Sequence, residues 1–244
     1  MRINLHLLST LSLILLAVNL AYPQAWTRPR GGGFAQLGWS YITNHRVWNN
    51  GGKELDLRRQ VMDMTLQAYT EYGVAEKWTA VVFVPYKTIS TGSAIYDPSY
   101  LPDTLPSGNL NGIGNLSFVG VYGFKQSGPW VGSFKLRFDL PTAGFDSTIG
   151  IRTGTDAFGI APIFNFGKGR NSYFITYEIG ANFRSNGYSS QFISNLQYGR
   201  KFAGKLWVIG MLEYVASLKD GNFNDGSSVH TAVYTNNLDY LAFI

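Results

Sequence analysis

"SFKLRFDLPTAG", residues 133–144, alternates strictly at its start. Phe134, Leu136, Phe138 and Leu140 take every second position, with Ser133, Lys135, Arg137 and Asp139 between them. Side chains of a strand point to opposite faces with a period of two, so this is a strand with one apolar face and one bearing three charges. Two folds use such a strand. In a soluble two-sheet sandwich the apolar faces meet and the charges look outward. In a membrane barrel the apolar face meets lipid and the charges line an internal space. Alternation alone does not choose between them, and the rest of the chain must.

Composition narrows the choice. Charged residues are 14% of the 244 and aromatics 15%, with 28 glycines. That charge content is far below the usual quarter and leaves too little to coat a soluble domain. The N-terminus reads as an export signal over residues 1–25: Arg2, then "LHLLSTLSLILLAVNLA", then small residues at Ala21 and Ala25, either of which can precede the cleavage. Residues 26–244 form the remaining domain. No cysteine is present, which excludes a lipid-anchoring cysteine and a disulfide scaffold. The net charge of +5 is spread without a basic cluster, so nucleic acid is excluded as a partner.

Strand patterns fill the chain after the signal. They run over residues 34–43, 61–72, 78–89, 115–124, 133–140, 157–166, 173–184, 191–198, 206–215, 229–235 and 238–244, about eleven in all. Many are close to the 9–11 residues that cross a bilayer, whereas soluble strands average nearer six. Short connections ("GVAEK", "KQSGP", "GKGRNS", "GRKFAGK") alternate with long ones ("NHRVWNNGGKELDLR", "STGSAIYDPSYLPDTLPSGNLNG", "PTAGFDSTIGIRTGT", "SLKDGNFNDGS"); only "SNGYSS" breaks the rule by being brief. Short turns at one end and long loops at the other describe an outer-membrane barrel. Trp78, Trp130 and Trp207 stand beside short turns, with Tyr72 near, as expected for aromatics at a membrane interface. The expectation is an all-β, antiparallel up-and-down transmembrane barrel in the outer membrane of a Gram-negative cell. Its turns would be periplasmic and its loops extracellular. Strand number in such barrels is even, so about twelve strands are expected when complete, with the last one lacking here.

Four phrases carry a family resemblance: "WTRPRGGGFAQLGWSY", "EYGVAEKWTAVVFVPY", "NGIGNLSFVGVYGF" and "FKLRFDLPTAG". Together they resemble the bacterial outer-membrane β-barrels described as transporters of the meta-pathway of phenol degradation. The resemblance implies a barrel fold and passive uptake of small molecules, including aromatic or apolar compounds. One position departs from the family pattern: the Gly112-Ile113-Gly114 step is followed by Asn115, where the family usually has an acid.

If the fold is a barrel, alternation directs Asp63, Gln67, Glu71, Lys135, Arg137, Asp139, Glu178, Arg184 and Glu213 to the lumen. They would form either a charged path that selects solutes or an internal salt-bridge network that stiffens the barrel. Val81, Phe83, Ile163, Phe174, Trp207 and Met211 share that face. They would line a route for greasy solutes or simply fill space. The loop over residues 90–114 is the expected constriction. A competing reading is a structural or surface-interaction barrel with a closed lumen and binding loops. A lipid-acting enzyme stands third, because His45 and His230 are the only histidines after the signal and no serine is placed to pair with His45. No catalytic, metal or cofactor site is expected. The expected partners are outer-membrane lipids, small solutes and the barrel-insertion machinery, with the protein a monomer.

Overall fold

The computed structural model describes residues 25–48, 54–93, 106–221 and 240–243. Residues 1–24 of the segment read as an export signal (1–25) and the strand pattern at 229–235 lie outside them. Among the described residues there is no helix. Thirteen strands follow in order: β1 (Gly33–Trp48), β2 (Glu54–Ala75), β3 (Trp78–Thr91), β4 (Gly108–Ile113), β5 (Leu116–Lys125), β6 (Val131–Leu140), β7 (Phe145–Asp146), β8 (Ile151–Arg152), β9 (Gly159–Arg170), β10 (Tyr173–Arg184), β11 (Gln191–Phe202), β12 (Leu206–Ser217) and β13 (Tyr240–Phe243). Eleven form one antiparallel sheet in the order β1-β2-β3-β5-β6-β9-β10-β11-β12-β13, with β4 also on β3. The sheet is strongly curled into a half-barrel, consistent with an up-and-down β-barrel. Hairpin β7–β8 stands apart from it.

Burial answers the question raised by the opening strand. On one face Ser133 and Asn165 are 0% exposed and Lys135 is 6% exposed. On the other, Leu66 is 51% and Phe164 49% exposed, and Leu37, Trp39, Phe166, Val208 and Tyr214 are exposed too. The polar face is therefore the enclosed one. A folded chain in water would invert this, since burying apolar area is worth about 25 cal/mol per Å² and burying unpaired polar groups costs energy.

Three elements differ from the sequence reading, each for a local reason. The connection after β1 is mostly strand: β1 and β2 pair out to Trp48 and Glu54, with a bulge between Asn44 and Arg46. β2 has 22 residues, about 70 Å when extended, so this hairpin outruns an apolar band of about 25 Å. His45, read as entering a loop, lies in β1. The second difference is β4, which occupies part of the 90–114 connection. β3 pairs β5 through Phe83 and Ser117 but β4 through Tyr86 and Ile113, a one-residue offset that makes β4 and β5 a single bulged strand. Pro85 lacks an amide hydrogen and sits at this irregularity, where strand proline is tolerated. Its carbonyl accepts the Gly114 amide at 2.9 Å. A Cβ on Gly114 would lie 3.0 Å from both Pro85 Cγ and the Thr153 carbonyl, so a side chain there would press on both.

The third difference is the 141–158 connection. It folds inward as β7–β8, and Ile149 and Ile151 pack with Val61, Ile89 and Leu110 in the apolar cluster inside the long-loop end. Buried Arg59 donates to the carbonyls of Ile149 (2.8 Å) and Gly150 (3.1 Å). Residues 94–105 lie outside the described residues. Much of the 90–114 loop, read as the constriction, therefore lies outside the described residues; among those described, the 141–158 segment packs inward together with Leu110.

Candidate functional site: the enclosed face

Register builds the site. One rung of the sheet runs Glu71, Val81, Val119, Arg137 and Ala161 across β2, β3, β5, β6 and β9. The next runs Tyr69, Phe83, Ser117, Asp139 and Gly159. Because side chains in register share a face, curling the sheet turns both rungs inward. They surround a cavity of about 280 Å³. Its lining mixes apolar Val81, Phe83, Val119, Val121 and Ile163 with polar Gln67, Tyr69, Glu71, Lys135, Arg137 and Glu178, and Trp26 lines it too.

The charges on this face are paired. Lys135 Nζ donates to Glu178 Oε1 at 2.5 Å, reaching across β9 from β6 to β10. Arg28 bonds Glu71, whose second oxygen accepts the Tyr69 hydroxyl. Lys87 Nζ donates to Asp63 Oδ2 at 2.6 Å, and Thr65 donates to the other Asp63 oxygen at 2.8 Å. Arg137 Nε donates to Asp139 Oδ2 at 3.1 Å, and Ser117 to Asp139 Oδ1 at 2.6 Å. Removing one partner of a buried pair strands the other charge, at a cost of about 3–5 kcal/mol. These pairs therefore both stiffen the sheet and balance the cavity's charge.

The structure distributes the sequence-derived candidates unevenly. Gln67, Glu71, Lys135, Arg137 and Glu178 meet at the cavity. Asp63 and Asp139 lie on the same face further toward the long-loop end, each holding a cation. Arg184 lies toward the long-loop end, where it donates to the Ser189 carbonyl at 2.7 Å and covers the Tyr188 ring at 5.2 Å. Glu213 stands on β12 opposite Asn195, outside the cavity lining. Tyr72, Trp78 and Trp130 are exposed on the outer face; Trp78 meets Tyr122 at 4.9 Å, and Lys168 lies 5.2 Å from Trp130. Trp207 departs from the interface reading. It is half-buried and its ring is 5.5 Å from Phe174, itself buried on the enclosed face. One residue of register after Leu206 turns it inward, whatever its distance from the turn. Arg28, Lys87 and Trp26 were not among the candidates. Lys87 was readable, since it falls on the Val81 face of β3; Arg28 and Trp26 precede the first strand and no periodicity directs them.

A separate polar cluster ties the long-loop end. Asn115 Nδ2 donates to the carbonyls of Leu140 (2.8 Å) and Thr155 (2.7 Å), and its Oδ1 accepts the Thr155 amide at 2.6 Å. A carboxylate could not donate to those carbonyls, which explains an amide at this position. Tyr188 is pushed up to about 12, by burial first and then by its bond to Asp156. Burial opposes ionisation of Asp156, but hydrogen bonds from Tyr188 and Arg152 hold its carboxyl below the usual range. Among the described residues no group of three or more metal-ligating side chains gathers. His45 is exposed and His230 lies outside the described residues.

No curated protein matches the chain. The family model described as "Putative MetA-pathway of phenol degradation" matches residues 53–235. That span holds three of the four phrases on which the resemblance rested, and the bulge, the cavity walls and most of the ion pairs. The chain belongs to this family.

Proposed function

We propose that the protein is an outer-membrane channel for passive uptake of small molecules with an apolar body and a polar group. The observation that carries this reading is the inversion of the sheet: an exposed apolar outer face around an inner face whose cavity is lined by both apolar and charged side chains. The outer face suits lipid, with Trp78 and Trp130 near the short turns in the position of an interface belt. The family's description links it to phenol degradation, which fits solutes built on a single ring. A cavity of about 280 Å³ is near the lower end for small-ligand sites, so it suits a single-ring solute. The protein acts as a monomer inserted by the barrel-assembly machinery, and its transport involves no catalytic step and no cofactor.

The test is uptake into liposomes carrying the refolded barrel, with empty liposomes as reference. Benzoate is the informative aromatic, because its charge slows passage through bare lipid. Protein-dependent benzoate uptake, faster than that of a small sugar, is the expected result. No uptake of either by a verified folded barrel refutes the channel and favours a closed structural barrel.

A further inference from the structure

The residues before β1 do something the strands do not require. Pro29, Arg30, Gly31 and Gly32 form a tight turn, with the Gly32 amide on the Pro29 carbonyl at 2.8 Å and Gly31 at φ 77°. A positive φ at the third position is the type II geometry that glycine supplies. A Cβ on Gly73 would collide with the Pro29 carbonyl, so the turn seats directly against β2. It sends residues 25–28 back under the sheet at its short-turn end. There Ala25 is fully buried and Arg28 nearly so. Arg28 pairs with Glu71 on β2, and its amide donates to Thr79 Oγ1 on β3 at 2.7 Å. The Thr27 amide donates to Gln126 Oε1 at 3.0 Å in the β5–β6 turn. Trp26 lies over Gly167 and Gly169 of β9: a Cβ at Gly167 would strike its ring, and one at Gly169 would press on it at 3.3 Å. The segment thus ties β2 to β9, with β3, β5 and β6 between them along the sheet. Beneath it Ser133 and Asn165 face each other across β6 and β9, both fully buried.

We infer that residues 25–32 are a plug that shuts the short-turn end of the barrel, latched by Arg28 and Glu71. Its gating role rests on the channel reading; the plug itself does not. The chain has no cysteine, so single thiols can report it. Ser133→Cys, under the plug, is compared with Ser189→Cys, equally buried at the opposite end. Each is made with Arg28 intact and with Arg28→Ala, and labelled in folded barrels with a small charged thiosulfonate. Loss of the latch should speed labelling at position 133 on the order of a hundredfold and leave position 189 unchanged. Equal rates at position 133 with and without Arg28 overturn the plug. So does equal acceleration at both sites, which would mean general loosening. Benzoate flux in the same liposomes should rise with Arg28→Ala. Faster labelling without flux in any variant keeps the plug and refutes the channel instead.

Discussion

Phe164→Arg separates a lipid-facing sheet from a solvent-facing one. Phe164 is the sixth of twelve residues in β9, 49% exposed on the outer face. Its ring lies 5.2 Å from that of Phe134 on β6. In water, replacing a half-exposed phenylalanine by arginine would cost only the ring pair, about 0.5–1.5 kcal/mol. In a bilayer, a basic residue near the midplane of a barrel's lipid face adds about 2–4 kcal/mol. The sum for a membrane barrel is roughly 3–5 kcal/mol. The assay is urea unfolding in lipid vesicles, followed by Trp fluorescence and by the mobility of folded and unfolded bands. Phe164→Leu serves as reference, since it removes the ring but keeps the face apolar. If Phe164→Arg is no less stable than Phe164→Leu, the outer face does not meet lipid and the inverted-sheet argument fails.

Asn115→Asp removes two donated hydrogen bonds to the Leu140 and Thr155 carbonyls. Leaving such groups unsatisfied should destabilise by about 1–3 kcal/mol, with faster proteolysis of the 141–158 segment. Ala203 has φ 48° beside Gly204 at φ 70° in the β11–β12 turn; Ala203→Asn suits this type I′ geometry and should raise stability by about 0.5–1 kcal/mol in the same urea assay. The Asp156–Tyr188 tie sets a pH window for the long-loop end. Asp156 is depressed, so its contribution holds above the usual carboxylate range and is lost as pH falls through its lower folded value. Tyr188 is raised, so its contribution holds up to about pH 10 and is lost as pH climbs through about 12. Hydrogen exchange of residues 153–158 should therefore be slowest between those limits and accelerate on either side. If residues 1–25 hold an export signal, the burial of Ala25 beside Gly167 predicts cleavage after Ala21, and mass spectrometry of the protein from an outer-membrane fraction should then find Tyr22 at its start.

Much of the fold was legible because a strand writes its two faces into alternate residues. Phe134, Leu136 and Phe138 against Lys135, Arg137 and Asp139 specify two faces with no tertiary information, and the alternation of loop lengths specifies how the strands follow one another. Loops were less legible. The 44–58 and 90–114 stretches are rich in Asn and Gly, which mask strand signals, and backbone pairing draws part of them into β1, β2 and β4; only Leu55 and Leu57, alternating with Glu54, Asp56 and Arg58, announced the extension of β2. At Trp207 two sequence readings competed: nearness to a turn suggested the interface, while alternation put it on the lumen face with Phe174, and the structure sides with alternation.

What the sequence by itself determined was the pair of faces, the order of the strands and the absence of covalent staples. Which face is enclosed is a property of curvature, and curvature arises only when the strands are joined. The ion pairs follow the same rule. Lys135 and Glu178 are 43 residues apart and on strands that do not touch. They meet because β9 between them bends, bringing alternate strands within reach across the concave side. The Arg28 contact is less local still, since its turn must first reverse the chain beneath the sheet. Periodicity describes a strand's own two sides, whereas the partner across an enclosed space is chosen by the shape of the whole sheet.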